Sequence, residues 1–172
     1  METIALVLKA RQGDALAFTE LMQTRQAKLY RIAYSYTKNR DDSLDVVSEV
    51  VYRAYVGLGN LRNPAHFDTW LIRIVINQAI NHLHKLRRIT LVEDMPNIPA
   101  VQGVVDAAEA IDLQAAIAHL DANQQTVIIL KYFEDLSLAQ VAEVMDRPLG
   151  TVKTYLHGAL KKLRLELKEV PQ

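Results

Sequence analysis

Cysteine is absent from the 172-residue chain, which rules out disulfides and thiolate metal ligands. Glycine (6) and proline (5) are scarce, and no segment alternates with a regular period of two, so the chain reads as mostly α-helical. No apolar run approaches the ~20 residues that cross a bilayer. The opening METIALVLKARQGD lacks the basic start, apolar stretch and small-residue cleavage site of a secretory signal, which points to a cytoplasmic protein. Catalytic signatures are missing too: there is no Gly-rich phosphate loop, nucleophile elbow or His-Glu-x-x-His. His82 and His84 are two apart and would diverge on a helix, which disfavours joint metal ligation. Asp41, Asp42 and Asp45 are not followed by the glycine of a calcium loop. The expectation is therefore no enzyme activity, no cofactor, no metal and no small-molecule substrate.

Net charge is also lacking, with 20 basic and 20 acidic side chains. Neutrality weighs against a nucleic-acid binder, but the charges are segregated. Residues 1–88 hold thirteen basic and eight acidic groups, and residues 147–168 hold six and one, so each stretch is at +5. Most of the compensating acid lies between 93 and 146, leaving positive potential available at two separate surfaces.

The most informative stretch is 136–167. Leu138, Val141, Ala142 and Met145 recur at i, i+3, i+4 and i+7, one face of a short helix. Asp146-Arg147-Pro148 ends it, because proline lacks an amide hydrogen and disfavours helix at the residue before it. A second helix runs from about Leu149 to Lys168 with an apolar stripe at Val152, Leu156, Ala159, Leu163 and Leu167. Lys153, Thr154, His157, Lys161, Arg164 and Lys168 fall on another face. Two short helices with an abrupt turn, the second rich in cations and hydroxyls, suit a helix-turn-helix whose second helix enters the major groove. A solvated helical hairpin is the alternative.

Upstream, Gly13-Asp14 ends a first helix, and Asp14 can cap a second that carries Phe18, Leu21, Met22, Leu29, Ile32, Ala33 and Tyr36. Thr37 to Arg40 form a turn, and Asp41-Asp42-Ser43 can cap a third helix with core stripe Leu44, Val47, Val51, Ala54 and Leu58. Asp45, Ser48, Glu49, Tyr52 and Arg53 lie off that stripe. A loop around Gly57 to Pro64 leads into a long helix from about His66 to Arg88, seamed by Ile72, Ile76, Ala79, Leu83 and Leu86. Asn77, Asn81, His84 and Arg88 form a row beside that seam, with Arg73, Lys85 and Arg87 near. Amides and cations in such a row suit base edges and phosphates, or else a plain solvated face. Phe67 and Trp70 are candidates for stacking on unpaired bases, with burial in the core as the alternative.

Residues 89–108 carry two prolines, a glycine and no helical period, and read as a linker. Helix returns at Glu109 with Ala110, Leu113, Ile117 and Leu120. Asp121 and Gln124 resemble a capping box opening a helix through Tyr132, with Val127, Leu130 and Phe133 under the helix-turn-helix. The expected fold is all-α: two small helical domains, 1–88 and 109–172, joined by a linker, 89–108, with the C-terminal domain a helix-turn-helix.

Three stretches together resemble a known family: Asp45 to Tyr55 (DVVSEVVYRAY), Phe67 to Asn77 (FDTWLIRIVIN) and Gly150 to Thr154 (GTVKT). Their order and spacing resemble the extracytoplasmic-function (ECF) group of bacterial RNA polymerase sigma factors over nearly the whole chain. The resemblance implies a region-2-like domain at 1–88 and a region-4-like domain at 109–172. It further implies a transcription initiation factor that binds core RNA polymerase, directs it to promoter DNA and helps open the duplex, with an anti-sigma factor as a further partner. Core polymerase binding would fall on Asp45, Ser48, Glu49 and Tyr52. Minus-ten reading and base capture would fall on Asn60, Arg62, Asn63, His66, Asn77, Asn81, Lys85, Arg87 and Arg88. Minus-thirty-five reading would fall on Thr151, Lys153, Thr154, Tyr155, His157 and Lys161. Ser48 stands where the family often has glutamine and Asn81 where aspartate is common, while Tyr155 and Gly158 replace frequent arginines. A stand-alone helix-turn-helix regulator is the rival reading; it uses only residues 109–168.

Overall fold

The computed structural model describes residues 2–92, 113 and 115–168; side chains are described to 88 and again to 167. Two compact units divide between Pro99 and Ala100. Among the described residues every regular element is helical.

The first unit holds α1 (Glu2–Arg11), α2 (Ala15–Gln23), α3 (Gln26–Thr37), α4 (Arg40–Gly57) and α5 (Phe67–Val92), with 3-10 turns at Leu58–Asn60 and Pro64–His66. Gly13 adopts φ +95°, a left-handed conformation that ends α1. Asp14 then caps α2 as expected, its Oδ1 accepting from the amides of Leu16 at 3.0 Å and Ala17 at 3.1 Å.

The helix expected to run unbroken from Asp14 through Tyr36 is two helices. The break at Thr24-Arg25 has no glycine or proline to announce it. At the break the Thr24 hydroxyl bonds back onto the carbonyls of Glu20 and Leu21, at 2.9 and 3.1 Å. Asn39, not the acidic run after it, caps α4, accepting from the amides of Asp41 at 2.8 Å and Asp42 at 3.0 Å. Asp41 and Asp42 occupy the first turn, where negative charge suits the helix dipole.

The core stripe of α4 is also displaced from the expected one. Ser43, Val46, Val47, Val50 and Ala54 are buried, whereas Leu44 is 44% exposed and Val51 only half-buried. Ser43 tolerates burial because its hydroxyl bonds the Asn39 carbonyl and pairs with Thr37 Oγ1 at 2.7 Å. In α5 the buried seam is Phe67, Leu71, Ile72, Val75, Ile76 and Ala79; Leu83 is half-buried and Leu86 exposed, so the seam ends earlier than its apolar spacing suggested. The helix itself continues to Val92 rather than stopping at Arg88, consistent with no helix breaker before Pro96. The rest of the expected linker, 93–108, and the helix start at Glu109-Ala110 lie outside the described residues.

In the second unit residues 115–118 are helical, followed by α6 (Ala122–Ile128), a π turn (Ile129–Phe133), α7 (Leu138–Met145) and α8 (Leu149–Lys168). Asp121 caps α6 through a 2.9 Å bond from the Gln124 amide, but the reciprocal half of the expected box is not made. Gln124 lies instead against Gly158, where a Cβ would stand 2.8 Å from its Nε2. A complete capping box forms one helix later, between Ser137 and Gln140.

Ala116, Ile117, Leu120, Ile128, Ala159 and Leu163 make a shared core, with Leu156 and Leu160 against it. Leu113 and Leu167 are exposed, and Val144, not Met145, completes the buried face of α7 with Val141. Phe133, expected beneath the helix-turn-helix, is 54% exposed. The wider π turn carries it out of phase with Val127 and Leu130, which are buried.

Candidate nucleic-acid and protein interfaces

The outer face of α4 is set by the stripe it buries. With Ser43, Val46, Val50 and Ala54 turned inward, Asp45, Ser48 and Tyr52 are exposed and Glu49 half-buried. Tyr52 is 64% exposed. Glu49 is steadied by Arg53, whose Nε donates to its Oε1 at 2.6 Å across one helical turn. Sequence reasoning missed the apolar neighbours on this helix: Leu44, Tyr55 and Val56 are all exposed. Tyr55 stands edge-on to Phe18, centroids 5.3 Å apart, and a depression of about 240 Å³ beside Phe18, Met22, Leu29, Val47 and Val51 extends the apolar surface. Exposed aromatics and aliphatics mixed with carboxylates suit a protein partner better than DNA.

The loop after α4 and the outer face of α5 form a second surface. Asn60, Arg62, Asn63 and His66 are exposed on the loop, and Asn77, Asn81, His84, Lys85, Arg87 and Arg88 on the helix. Asn63 is committed in part to the loop itself, its Oδ1 accepting from the Ala65 amide at 3.0 Å. His82, the partner of His84 in the disfavoured metal pair, turns inward and meets Asp42 Oδ1 at 2.9 Å, tying α5 to the first turn of α4. Among the described residues no three histidines or carboxylates gather where they could hold a metal ion. Phe67 is fully buried, which removes it as a base-stacking platform. Trp70 is half-buried, its ring 5.9 Å from that of Phe67.

The third surface is on α8. Asp146 takes the left-handed conformation (φ 53°) and closes α7, so the chain re-enters helix at Leu149. Lys153, Thr154, His157, Lys161 and Arg164 are then exposed together, while Thr151 and Tyr155 are half-buried. The Thr154 hydroxyl donates to the Gly150 carbonyl at 3.1 Å, so its oxygen retains acceptor capacity. His157, Lys161 and Arg164 flank a shallow groove with Leu160 and Leu165. Lys162 points elsewhere, its Nζ 3.7 Å from Asp121 Oδ2 at the start of α6.

Two family descriptions match the chain in sequence order: sigma-70 region 2 over residues 8–89, and sigma-70 region 4 over residues 110–163. RNA polymerase sigma factor SigV of Bacillus subtilis is 34% identical across 93% of this chain and 96% of its own length. The ECF RNA polymerase sigma-E factor of Haemophilus influenzae is 32% identical across 95% and 94%. The chain belongs to the ECF RNA polymerase sigma factors. The matches take in both units, whereas a stand-alone regulator accounts only for the second, so that alternative loses its support. The sigma fold is equally plain in solved structures. CnrH, in complex with the cytosolic domain of CnrY, superposes with a TM-score of 0.77 at 23% identity, covering 99% of this sigma factor and 100% of that chain. Sigma factor RpoE of Bartonella quintana, in complex with the anti-sigma factor NepR, gives 0.71 at 20% identity over 90% and 98%. No described helix of this sigma factor is long and apolar enough to cross a membrane.

Proposed function

We propose that this sigma factor binds core RNA polymerase through α4 and reads one promoter through two separate surfaces. Asp45, Ser48, Glu49 and Tyr52 engage the polymerase, joined by the exposed Leu44, Tyr55 and Val56. Asn60, Arg62, Asn63 and His66 of the loop hold unpaired minus-ten bases. Asn77, Asn81, Lys85, Arg87 and Arg88 contact the strand and its phosphates alongside. Thr151, Lys153, Thr154, Tyr155, His157 and Lys161 read the minus-thirty-five duplex. Residues 1–88 thus act as the opening module and 109–172 as the duplex-reading module, with 89–108 between them. The protein works in the cytoplasm, where polymerase is. It contributes no catalysis of its own, the polymerase supplying the chemistry.

The carrying observation is the solvent exposure of both polar rows, the Asn77–Arg88 row on α5 and the Lys153–Arg164 row on α8, on helices that bury Val75, Ile76 and Ala79, and Val152, Ala159 and Leu163, on other faces. Each module alone binds DNA weakly and mostly through phosphates. Fixed together on polymerase, they gain from effective concentration. The chemistry of an anti-sigma partner fits the apolar and acidic α4 surface, and the two structural relatives, CnrH and RpoE, were solved with CnrY and an anti-sigma factor respectively. Run-off transcription with purified core polymerase tests the reading: promoter-selective transcripts are expected only when the protein is added. Absence of selectivity sinks it.

A further inference from the structure

Two 3-10 turns and the Asn63 cap give the 58–66 loop local order, and both of its ends meet residues outside it. At the α4 end Gly57 lies so close to Trp70 that a Cβ there would meet the indole Cζ2 at 3.2 Å. At the α5 end the pin is Arg25, from the α2–α3 break, 43 residues away in sequence. Its Nε donates to Asp68 Oδ1 at 2.5 Å and its Nη2 lies 3.4 Å from Oδ2, a two-point approach led by the first contact. Nη2 also reaches Thr3 Oγ1 of α1 at 3.2 Å, and Nη1 reaches Thr24 Oγ1 at 2.9 Å and the Leu21 carbonyl at 3.3 Å. The Arg25 Cζ sits 5.1 Å from the centroid of the buried Phe67 ring. The arginine side chain is 15% exposed and packed, while the Asp68 carboxylate is 57% exposed, so the pair is anchored from the arginine side. Asp68 stands in the first turn of α5, directly after the Pro64–His66 turn. Between the two pins Leu58 and Leu61 are buried, and Asn60, Arg62 and His66 are turned outward.

We propose that Arg25 is a positioning residue for promoter opening: by fastening the α2–α3 break to the first turn of α5, it holds the 58–66 loop in the shape that accepts an unpaired base. The inference rests on the proposed assignment of this loop to base capture. A loop ordered before binding loses less freedom when it takes up a base, which raises both affinity and discrimination. Arg25 itself touches no DNA in this scheme. Lysine, a point charge without a planar fork, cannot reproduce its pattern of contacts.

The test uses holoenzyme assembled from full-length protein and purified core polymerase, on a duplex promoter library randomised across the minus-ten segment. Permanganate reactivity of unpaired thymines reports opening, and sequencing of the opened fraction reports base preference. Arg25→Lys and Asp68→Asn are compared with wild type, with core-polymerase retention and melting temperature measured alongside. Both variants are expected to retain core binding and fold, to open promoters roughly tenfold less, as befits loss of a charge-assisted hydrogen-bond pair, and to lose base preference in the minus-ten segment. The exchanged pair Arg25→Asp/Asp68→Arg is expected to recover part of that preference. Variants that open promoters with wild-type preference overturn the proposal. So do variants that lose folding, core binding and opening together, since the role is then structural only. If wild type selects no promoter at all, the assignment of the loop fails first, and that outcome is separable from the others.

Discussion

The turn between α7 and α8 and the loop between α4 and α5 each lead into a helix assigned to DNA, and they are built on opposite principles. The α7–α8 pair is specified by residues of its own stretch: Ser137 and Gln140 box the start of α7, and Asp146 in the left-handed region closes its end. The α4–α5 loop has the local Asn63 cap and the Gly57–Trp70 approach, but it also depends on Arg25, which meets Asp68 from 43 residues away. Reading a duplex requires a rigid helix at a fixed angle, which local caps can supply. Accepting a base that has left its stack requires a shaped recess, which needs walls from several parts of the chain.

That contrast breaks first at the packing beneath the loop. Phe67→Ala removes a ring that is 0% exposed and that also underlies Arg25; a loss of about 3–5 kcal/mol from the first unit is expected. Thermal or urea unfolding followed by Trp70 fluorescence measures it, and a loss below about 1 kcal/mol would show the loop to be less dependent on its distant walls. Next in size are the two reading rows. Asn77→Ala is expected to reduce opening with little effect on duplex minus-thirty-five binding, and Lys153→Ala the reverse. The latter should weaken holoenzyme binding across all sequences and reduce the salt dependence by about one counterion, as for one lost phosphate contact. Binding titrations at several salt concentrations check both, and identical phenotypes would erase the division between the units.

Smaller effects sharpen the local side of the comparison. Ser137→Ala should cost about 1 kcal/mol, the usual worth of an N-cap, and only in the second unit; amide exchange resolved by segment would show protection falling in α7 but not in α5. The least effect is expected at Gly158. Alanine there gains up to about 1 kcal/mol of helix propensity but collides with Gln124 Nε2, the far end of a flexible side chain. Gly158→Ala should therefore be near neutral alone and stabilising by about 1 kcal/mol when Gln124→Ala makes room. A double-mutant cycle by melting reads the coupling.

The same division between local and distant determinants explains how much was legible in the sequence. Asp14, Asp121 and the Asp146–Pro148 stop act within a turn of themselves, and each functions structurally where its residue type suggests. The outward rows on α5 and α8 were legible because their opposite faces are apolar at helical spacing. The α2–α3 break was not, since no glycine or proline marks it, and a threonine hydroxyl bonded to the preceding turn is equally found inside unbroken helices, as at Thr19 and Thr126. Nor was the register of α4, because a buried serine satisfied by Asn39 and Thr37 displaces a leucine from the core, which hydrophobicity alone does not foresee. Phe67 sits at the head of α5 among candidate stacking residues, and only the three-dimensional packing shows its ring to be interior. The pinning of the 58–66 loop was invisible, because nothing near Arg25 in sequence marks Asp68 as its partner.

The π turn after α6 bears on how this chain tolerates insertions and deletions. One surplus residue is accommodated there as a bulge, so Tyr132 and Phe133 face outward through angular offset, not because they are polar. Excising a single residue between Ile129 and Phe133 would let the coil close to ordinary pitch while keeping the downstream chain in its present phase, because the wide turn already absorbs the surplus. The approach to Ser137 would keep its aim, so a length change at this point should disturb the presentation of the α7–α8 pair less than the same change inside either of those helices.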